Sequence, residues 1–388
     1  MRRLLFVLAL LLAGLLDGLV DGRAEAQTAY IAFGDSITAG VGDDDLRTEK
    51  GYPPRLEALL QGGGLNAVVE NYGVPGEDTV QGLARINGVL NEAALSGDVL
   101  ILMEGTNDIS RSIPVETTRF NLNQMAERAE NRGISVIHST TIPRLPDAKY
   151  DSANITNTWL NQNIRDMAGR RGRKLADPFE AFSTTPNLFA LYYYQGKDDP
   201  VGHPNAAGYD FLAQIYFDVI RNVDHIPPVT GLVSPAHGAK EVSPSAPITV
   251  EVWDFGAGID LAATNLKVDG VATAVVPTGD PKHAILTYQP PTPLTGIVSV
   301  GLSSRDLATP PNTVDREVVT FTIAGTQLLT GDLDQNGRVD GADLLRFARR
   351  FGARLGDILY SPSADFNNDG MVDGQDLAVL ANNFGKSG

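Results

Sequence analysis

The chain has 388 residues, 43% of them hydrophobic and 20% charged, a globular composition too apolar for a disordered chain and long enough for two or three domains. Its 47 acidic residues outnumber 31 basic ones, giving a net charge of −16. The acidity runs through the whole chain, so no basic face is available to hold a nucleic acid backbone. Cysteine is absent, which excludes disulfides, thiolate catalysis and Cys-ligated zinc or iron–sulfur centres.

Residues 1–26 read as a secretory signal peptide. Arg2 and Arg3 precede the apolar run Leu4 to Leu16, and Ala24-Glu25-Ala26 offers a small-x-small cleavage site. The run is shorter than the ~20 residues that span a bilayer as a helix, and no later segment is longer. The mature protein is therefore expected to be exported, soluble and without a membrane span.

Residues 27–226 carry an α/β alternation. Strand-like runs occur at Tyr30 to Phe33, Ala67 to Val69, Val99 to Met103, Ile134 to Ile137 and, more weakly, Arg173 to Ala176. Helical stretches lie between them, one opening at Pro53-Pro54 and others over Thr79 to Leu90, Pro114 to Asn131, Ala153 to Arg170 and Asn205 to Asn222. Strands this apolar are buried on both faces, which predicts a doubly wound parallel sheet covered by helices.

Four motifs in this part carry candidate chemistry. The first strand runs into Gly34-Asp35-Ser36, placing a serine where open α/β sheets bind ligands; such a hydroxyl needs a base to become a nucleophile and donors for the oxyanion that forms. Asn71-Tyr72-Gly73-Val74-Pro75-Gly76 follows the second strand, Gly105-Thr106-Asn107-Asp108 the third, and Asp198-Asp199-Pro200-Val201-Gly202-His203-Pro204-Asn205 opens the last helix. Of five histidines, His203 is the one in the final motif, and a pKa of about 6.5 suits proton transfer near neutrality. His138 competes as a base but reads as a buried strand-end residue. Asp35 and Asp108 read as loop-holding groups, Asn205 as a helix cap. The run Leu191 to Tyr194 reads either as packing of the sheet end or as a stacking surface for a sugar or acyl group.

After Asp224-His225-Ile226-Pro227-Pro228 the helical periodicity stops. Over 227–325, short β-type runs (Ile248 to Val252, Leu266 to Val268, Ala284 to Tyr288, Val298 to Val300, Val318 to Ile323) alternate with Gly/Pro/Asp turns, as in an immunoglobulin-like β-sandwich. No catalytic cluster is evident there; His237 and His283 read as lone surface or structural residues.

Residues 326–388 contain a repeat. Gly331 to Gly352 and Ala364 to Gly385 align without gaps, with 10 identities in 22 positions. Each copy holds a Ca²⁺-loop pattern. Oxygen ligands fall at positions 1, 3, 5, 9 and 12 (Asp332, Asp334, Asn336, Asp340, Asp343; Asp365, Asn367, Asp369, Asp373, Asp376), with glycine at 6 and a backbone carbonyl at 7 from Arg338 or Met371. A small all-α module with two structural Ca²⁺ sites is expected. The apolar faces Leu344, Phe347, Ala348, Phe351 and Leu377, Leu380, Ala381, Phe384 are expected to pack against each other.

Taken together, the four motifs of residues 28–223 resemble the SGNH, or GDSL, hydrolases. The resemblance implies a flavodoxin-like sheet and an ester hydrolase needing no catalytic cofactor. It makes Ser36 the nucleophile and one oxyanion donor, Gly76 the second donor with Gly73 as the alternative, Asn107 the third, and His203 the base. That family places its third triad residue three positions before the histidine, which here is Pro200; Asp199 is the nearest carboxylate and Asp198 the next. The repeat pair resembles dockerin modules, which bind a cohesin partner. Loop positions 10 and 11, often hydroxyl residues in dockerins, are Gly341-Ala342 and Gly374-Gln375 here. A dockerin-like tail on an exported hydrolase points to short acyl esters on polysaccharide. Lipase, thioesterase or lysophospholipase activity is the alternative, and a non-catalytic surface adhesion protein the second.

Overall fold

The computed structural model describes residues 27–46, 49–92, 99–144, 151–195, 202–325, 329–333, 338–354 and 359–386, with side chains left out at 151–154. The segment read as a signal peptide lies outside these residues. Strands β1 (Thr28–Gly34), β2 (Ala67–Gly73), β3 (Val99–Met103), β4 (Ser135–Ser139) and β5 (Lys174–Ala176) form one sheet of order β2-β1-β3-β4-β5. Every neighbouring pair is parallel. Alternate residues of each strand serve opposite faces. Tyr30, Ala32, Ile101 and Met103 join a core closed by the helices Tyr52–Gly62 and Ala206–Arg221. Ile31, Phe33, Leu100 and Leu102 join a second core beneath the helices Thr79–Glu92, Val115–Glu130 and Asp151–Arg170. The doubly wound sheet expected from the apolar runs is the one observed.

This strand order reverses at β1. The chain leaves β1 toward β2 on one side, and β3 lies on the other. Loops after β1 and β3 therefore diverge and leave a crevice at the carboxyl ends of the strands.

Beyond residue 228 the strands are antiparallel. Strands β6 (Val229–Ser234), β7 (Ile248–Trp253), β8 (Asn265–Val268), β9 (Val271–Ala272), β10 (Thr278–Asp280), β11 (His283–Tyr288), β12 (Ile297–Arg305) and β13 (Thr313–Thr322) form two sheets, of order β10-β11-β7-β6 and β13-β12-β8-β9. Their inward residues, among them Val250, Val252, Leu266, Leu286, Val300 and Phe321, form one core. His237 and His283 are structural. The Nδ1 of His237 accepts from the Thr320 N–H at 3.0 Å, and burial lowers its pKa to about 4. His283 stacks on Trp253 with ring centroids 3.7 Å apart.

The antiparallel part packs on helix Asp151–Arg170. The guanidinium of Arg165, wholly buried, pairs with Asp177 at 2.6 Å and donates to the Thr230 carbonyl at 3.0 Å. Arg170 pairs with Glu251 at 2.7 Å. Trp253 lies over Gly169, where a Cβ would come within 2.4 Å of the indole.

In the tail, helices Gly341–Ala348 and Gly374–Asn383 each open on a capping box, Asp340 with Asp343 and Asp373 with Asp376. The expected packing of the two apolar faces is corrected here. The buried core consists of Val339, Phe347, Ala364, Val372 and Leu380, so each helix contributes one large side chain while the loops supply two valines. Leu344, Phe351, Leu377 and Phe384 are exposed. The helices end at Ala348 and Asn383, so Phe351 and Phe384 fall beyond them, and residue 8 of each loop points inward instead.

Candidate active site

Ser36 opens a single helical turn, Ser36–Ala39, at the end of β1. Asp35 caps it, its Oδ1 accepting from the Ile37 N–H at 2.9 Å. As the first residue of the turn, Ser36 keeps its own N–H among the donors that no helical carbonyl satisfies. Gly73, paired beside Gly34 in the sheet, permits this geometry, since a Cβ there would sit 2.1 Å from the Ala39 nitrogen.

The His203 Nε2 lies 2.8 Å from the Ser36 Oγ, across 167 positions of sequence. His203 reaches it from a segment stitched to the chain before it: the Tyr194 N–H donates to the His203 carbonyl at 2.9 Å, and Asn205 N–H to the Tyr192 carbonyl at 2.9 Å. Asn205 caps the following helix, its side chain accepting from the Gly208 N–H. Gly42, at φ +86°, passes so close behind the histidine that a Cβ would lie 2.7 Å from the His203 Cβ.

Asn107 sits in the short helix Thr106–Ser110 after β3. Its Nδ2 donates to the Glu77 carbonyl at 2.8 Å and approaches Asp35 Oδ2 at 3.4 Å. That one amide therefore joins the β1, β2 and β3 loops. Gly76, next to Glu77, adopts φ +77°, a conformation open to glycine, and its carbonyl accepts from Arg111 at 2.7 Å.

Two buried charges hold this arrangement. Asp108 accepts from the Thr79 N–H at 2.9 Å, from the Thr79 hydroxyl, and from the Thr118 hydroxyl at 2.9 Å. Arg144 donates to the Thr106 carbonyl and the Ser110 hydroxyl, each at 2.8 Å. Burial raises the Asp35 carboxyl to about 6, opposed by the Ile37 N–H and by His203. The loop-holding role read for Asp108 matches these bonds.

The structure thus brings Ser36, His203 and Asn107 together, with Gly76 beside them. Asp199 and Asp198 lie outside the described residues. His138 is apart from this group, buried on β4 against Arg173 at 3.3 Å, with its pKa lowered to about 3 by burial and that guanidinium. Tyr193 is fully buried and donates to the Pro143 carbonyl, and Tyr192 stacks on Phe211; both pack the sheet end. Sequence reasoning missed Arg144 and the Glu77 carbonyl as supports of Asn107. Neither carries a local signal, because the contacts join residues more than 29 positions apart.

In the tail, one carboxylate oxygen each of Asp365, Asp369 and Asp376 lies within 4.8 Å of the others. Asp340 and Asp373 begin their helices as caps, and Asp343 accepts from the Leu333 and Asp340 N–H groups. Asp332, Arg338, Asn367 and Met371 are among the described residues, whereas Asp334 and Asn336 lie outside them.

Comparison with known proteins finds two family matches along the chain. A model of the GDSL-like lipase/acylhydrolase family matches residues 32–211, and one of the dockerin type I domain matches residues 330–385. The chain is 34% identical over 116 residues to the esterase TesA of Pseudomonas aeruginosa, and 28% identical over 114 residues to an arylesterase of Vibrio mimicus. These alignments cover 30% and 29% of this chain; it spans about half the length of the curated relatives it matches, 54% of each. The solved structure of AlinE4, an SGNH-hydrolase family esterase, is 27% identical, with 51% of this chain and 97% of that chain covered at a TM-score of 0.37. The chain carries a GDSL/SGNH lipase-acylhydrolase domain and, at its C-terminus, a dockerin type I domain.

Proposed function

We propose that the protein is an exported serine esterase acting through an acyl-enzyme. The observation that carries this reading is the 2.8 Å contact between Ser36 Oγ and His203 Nε2 at the switch point of the sheet. His203 takes the Ser36 proton as Oγ attacks the ester carbonyl, and returns it to the departing alcohol as the tetrahedral species collapses. Water, deprotonated by the same imidazole, then attacks the acyl-serine and releases the acid. The Ser36 and Gly76 N–H groups and the Asn107 amide stabilise the oxyanion. Asp199 orients the imidazole.

The substrate we infer is a short acyl, acetyl-type ester on carbohydrate. Its support is the dockerin domain, which suits attachment to a scaffold through a cohesin-type partner. Residues 1–26 are removed on export, and 27–226, 227–325 and 326–388 are the hydrolase, sandwich and tail units. Two Ca²⁺ ions hold the tail. The second loop fits a hard cation, since Asp365, Asp369 and Asp376 bring three buried carboxylates together. Bound Ca²⁺ neutralises the loop carboxylates and links tail folding to metal.

Hydrolysis of p-nitrophenyl acetate and longer p-nitrophenyl esters by the wild type and Ser36→Ala tests this. Loss of turnover in Ser36→Ala with a preference for short chains is expected. Equal rates for the two proteins remove the esterase reading, and a preference for long acyl chains removes the short-ester substrate.

A further inference from the structure

Between the two family matches, over residues 212–329, a second acidic cluster lies far from both sites in sequence. One carboxylate oxygen each of Asp224, Asp254 and Asp306 falls within 4.8 Å of the others. The three come from separate segments. Asp224 is in the connection between helix Ala206–Arg221 and β6, Asp254 directly follows β7, and Asp306 directly follows β12. Asp254 and Asp306 are buried, Asp224 partly so.

Their polar contacts account for part of each carboxylate. Asp224 accepts from the Ile226 and Ala257 N–H groups at 3.1 and 2.7 Å. Asp254 Oδ1 accepts from Gly256 and Gly258 N–H at 2.9 and 2.7 Å. Asp306 accepts from Ala308 and Asn312 N–H at 3.1 and 2.8 Å and from the Asn312 amide at 2.6 Å. Asp254 Oδ2 is different: it is shut off from solvent and has no hydrogen-bond partner among the described residues. Asp254 as a whole is 6% exposed. No lysine or arginine pairs with any of the three among the described residues. Three carboxylates at this spacing repel one another strongly out of water, and an unpaired buried charge is among the costliest groups a fold can hold.

We propose that Asp224, Asp254 and Asp306 bind a divalent cation of the calcium type, which ties the connection after the α/β domain to the two antiparallel sheets. The donor set is all oxygen, which favours a hard cation over zinc or copper. The backbone N–H groups that hold the outer lone pairs fix the carboxylates in orientation, as outer-shell partners do at metal centres. Gly256 leaves the necessary room, since a Cβ there would lie 2.2 Å from the Asp224 carboxyl. Its geometry owes nothing to the repeat loops of the tail, and the inference does not depend on the esterase reading.

The test uses the full mature chain with Asp332→Ala and Asp365→Ala, which disable the tail loops, after removal of metal by chelation. Equilibrium dialysis is expected to find one Ca²⁺ per chain, with Ca²⁺ raising the melting temperature. Adding Asp254→Asn and Asp306→Asn should remove both effects. No bound Ca²⁺ in the tail-disabled protein, or an ion unaffected by the added substitutions, overturns the site. Because the substituted chains could misfold, Tb³⁺ gives an independent reading in the tail-disabled protein with all three carboxylates intact. Excited at the red edge of the indole band, Tb³⁺ should luminesce through Trp253, which adjoins Asp254, and Trp253→Phe should quench the emission without changing the number of ions bound. Emission that is absent, or that survives Trp253→Phe, overturns the assignment.

Discussion

The Nε2 of His203 stands 2.8 Å from the Oγ of Ser36, although 167 residues separate them. The contact joins the first loop of the sheet to the segment that opens its last helix. A deprotonating partner at that distance is what a serine hydroxyl needs at neutral pH. His203→Ala should lower kcat for p-nitrophenyl acetate by about 10²–10⁴-fold, the worth of a positioned general base, with the melting temperature unchanged. A variant that keeps wild-type kcat would show that the contact is only structural.

The Asn107 amide nitrogen donates to the Glu77 carbonyl and lies beside Asp35. If that amide also receives the oxyanion, Asn107→Ala should cost about 10²–10³ in kcat, and KM should move little because the ground-state carbonyl carries less charge. Steady-state kinetics separate this from a loop-packing role, in which KM and melting temperature would shift instead.

Asp108 accepts three hydrogen bonds in a fully buried position. Asp108→Ala would leave the Thr79 N–H and hydroxyl without that acceptor and the Thr118 hydroxyl with only the Pro114 carbonyl at 3.4 Å. The expected loss is about 3 kcal/mol or more, since each buried unsatisfied group costs on the order of 1–3 kcal/mol. Urea unfolding of the purified variant gives the figure directly.

Glu104, directly after β3, is buried with its carboxyl against that of Glu77 and no cationic partner among the described residues. Burial, and the nearby Glu77, hold its carboxyl well above the usual range. The folded state therefore keeps a proton that the unfolded state, with a pKa of about 4.3, gives up. Stability conferred by this proton is full below about pH 4 and is lost as pH rises, by up to about 1.4 kcal/mol per pH unit. Glu104→Gln carries no such loss. Its advantage over the wild type should widen between about pH 5 and about pH 8; thermal melts at both pH values that show a constant difference would refute the protonated state.

Much of this was legible in the sequence, for reasons that differ by region. The parallel sheet announced itself because β1 and β3 are apolar on consecutive residues, a pattern that only burial on both faces explains. Ser36, Asn107 and His203 were legible because each sits within a short motif beside a strand or helix end. The tail misled because Leu344 and Leu377 share a helical stripe with Phe347 and Leu380, and periodicity cannot tell which part of a stripe a short helix buries. Asp224, Asp254 and Asp306 were invisible, being single aspartates in ordinary turns whose convergence depends on how two sheets stack. Arg165 likewise gave no sign that it would serve Thr230, 65 positions away.

Gly42 brings no functional group to the site, yet its backbone lies against His203 with no space for a methyl. At φ +86°, side chains at this position meet both a strained backbone and the imidazole. The contact between His203 and Ser36 can therefore be broken by adding an atom at a position that belongs to neither residue. In a saturation library, position 42 should be as intolerant as position 36 itself, and its casualties would be folded proteins with a displaced His203.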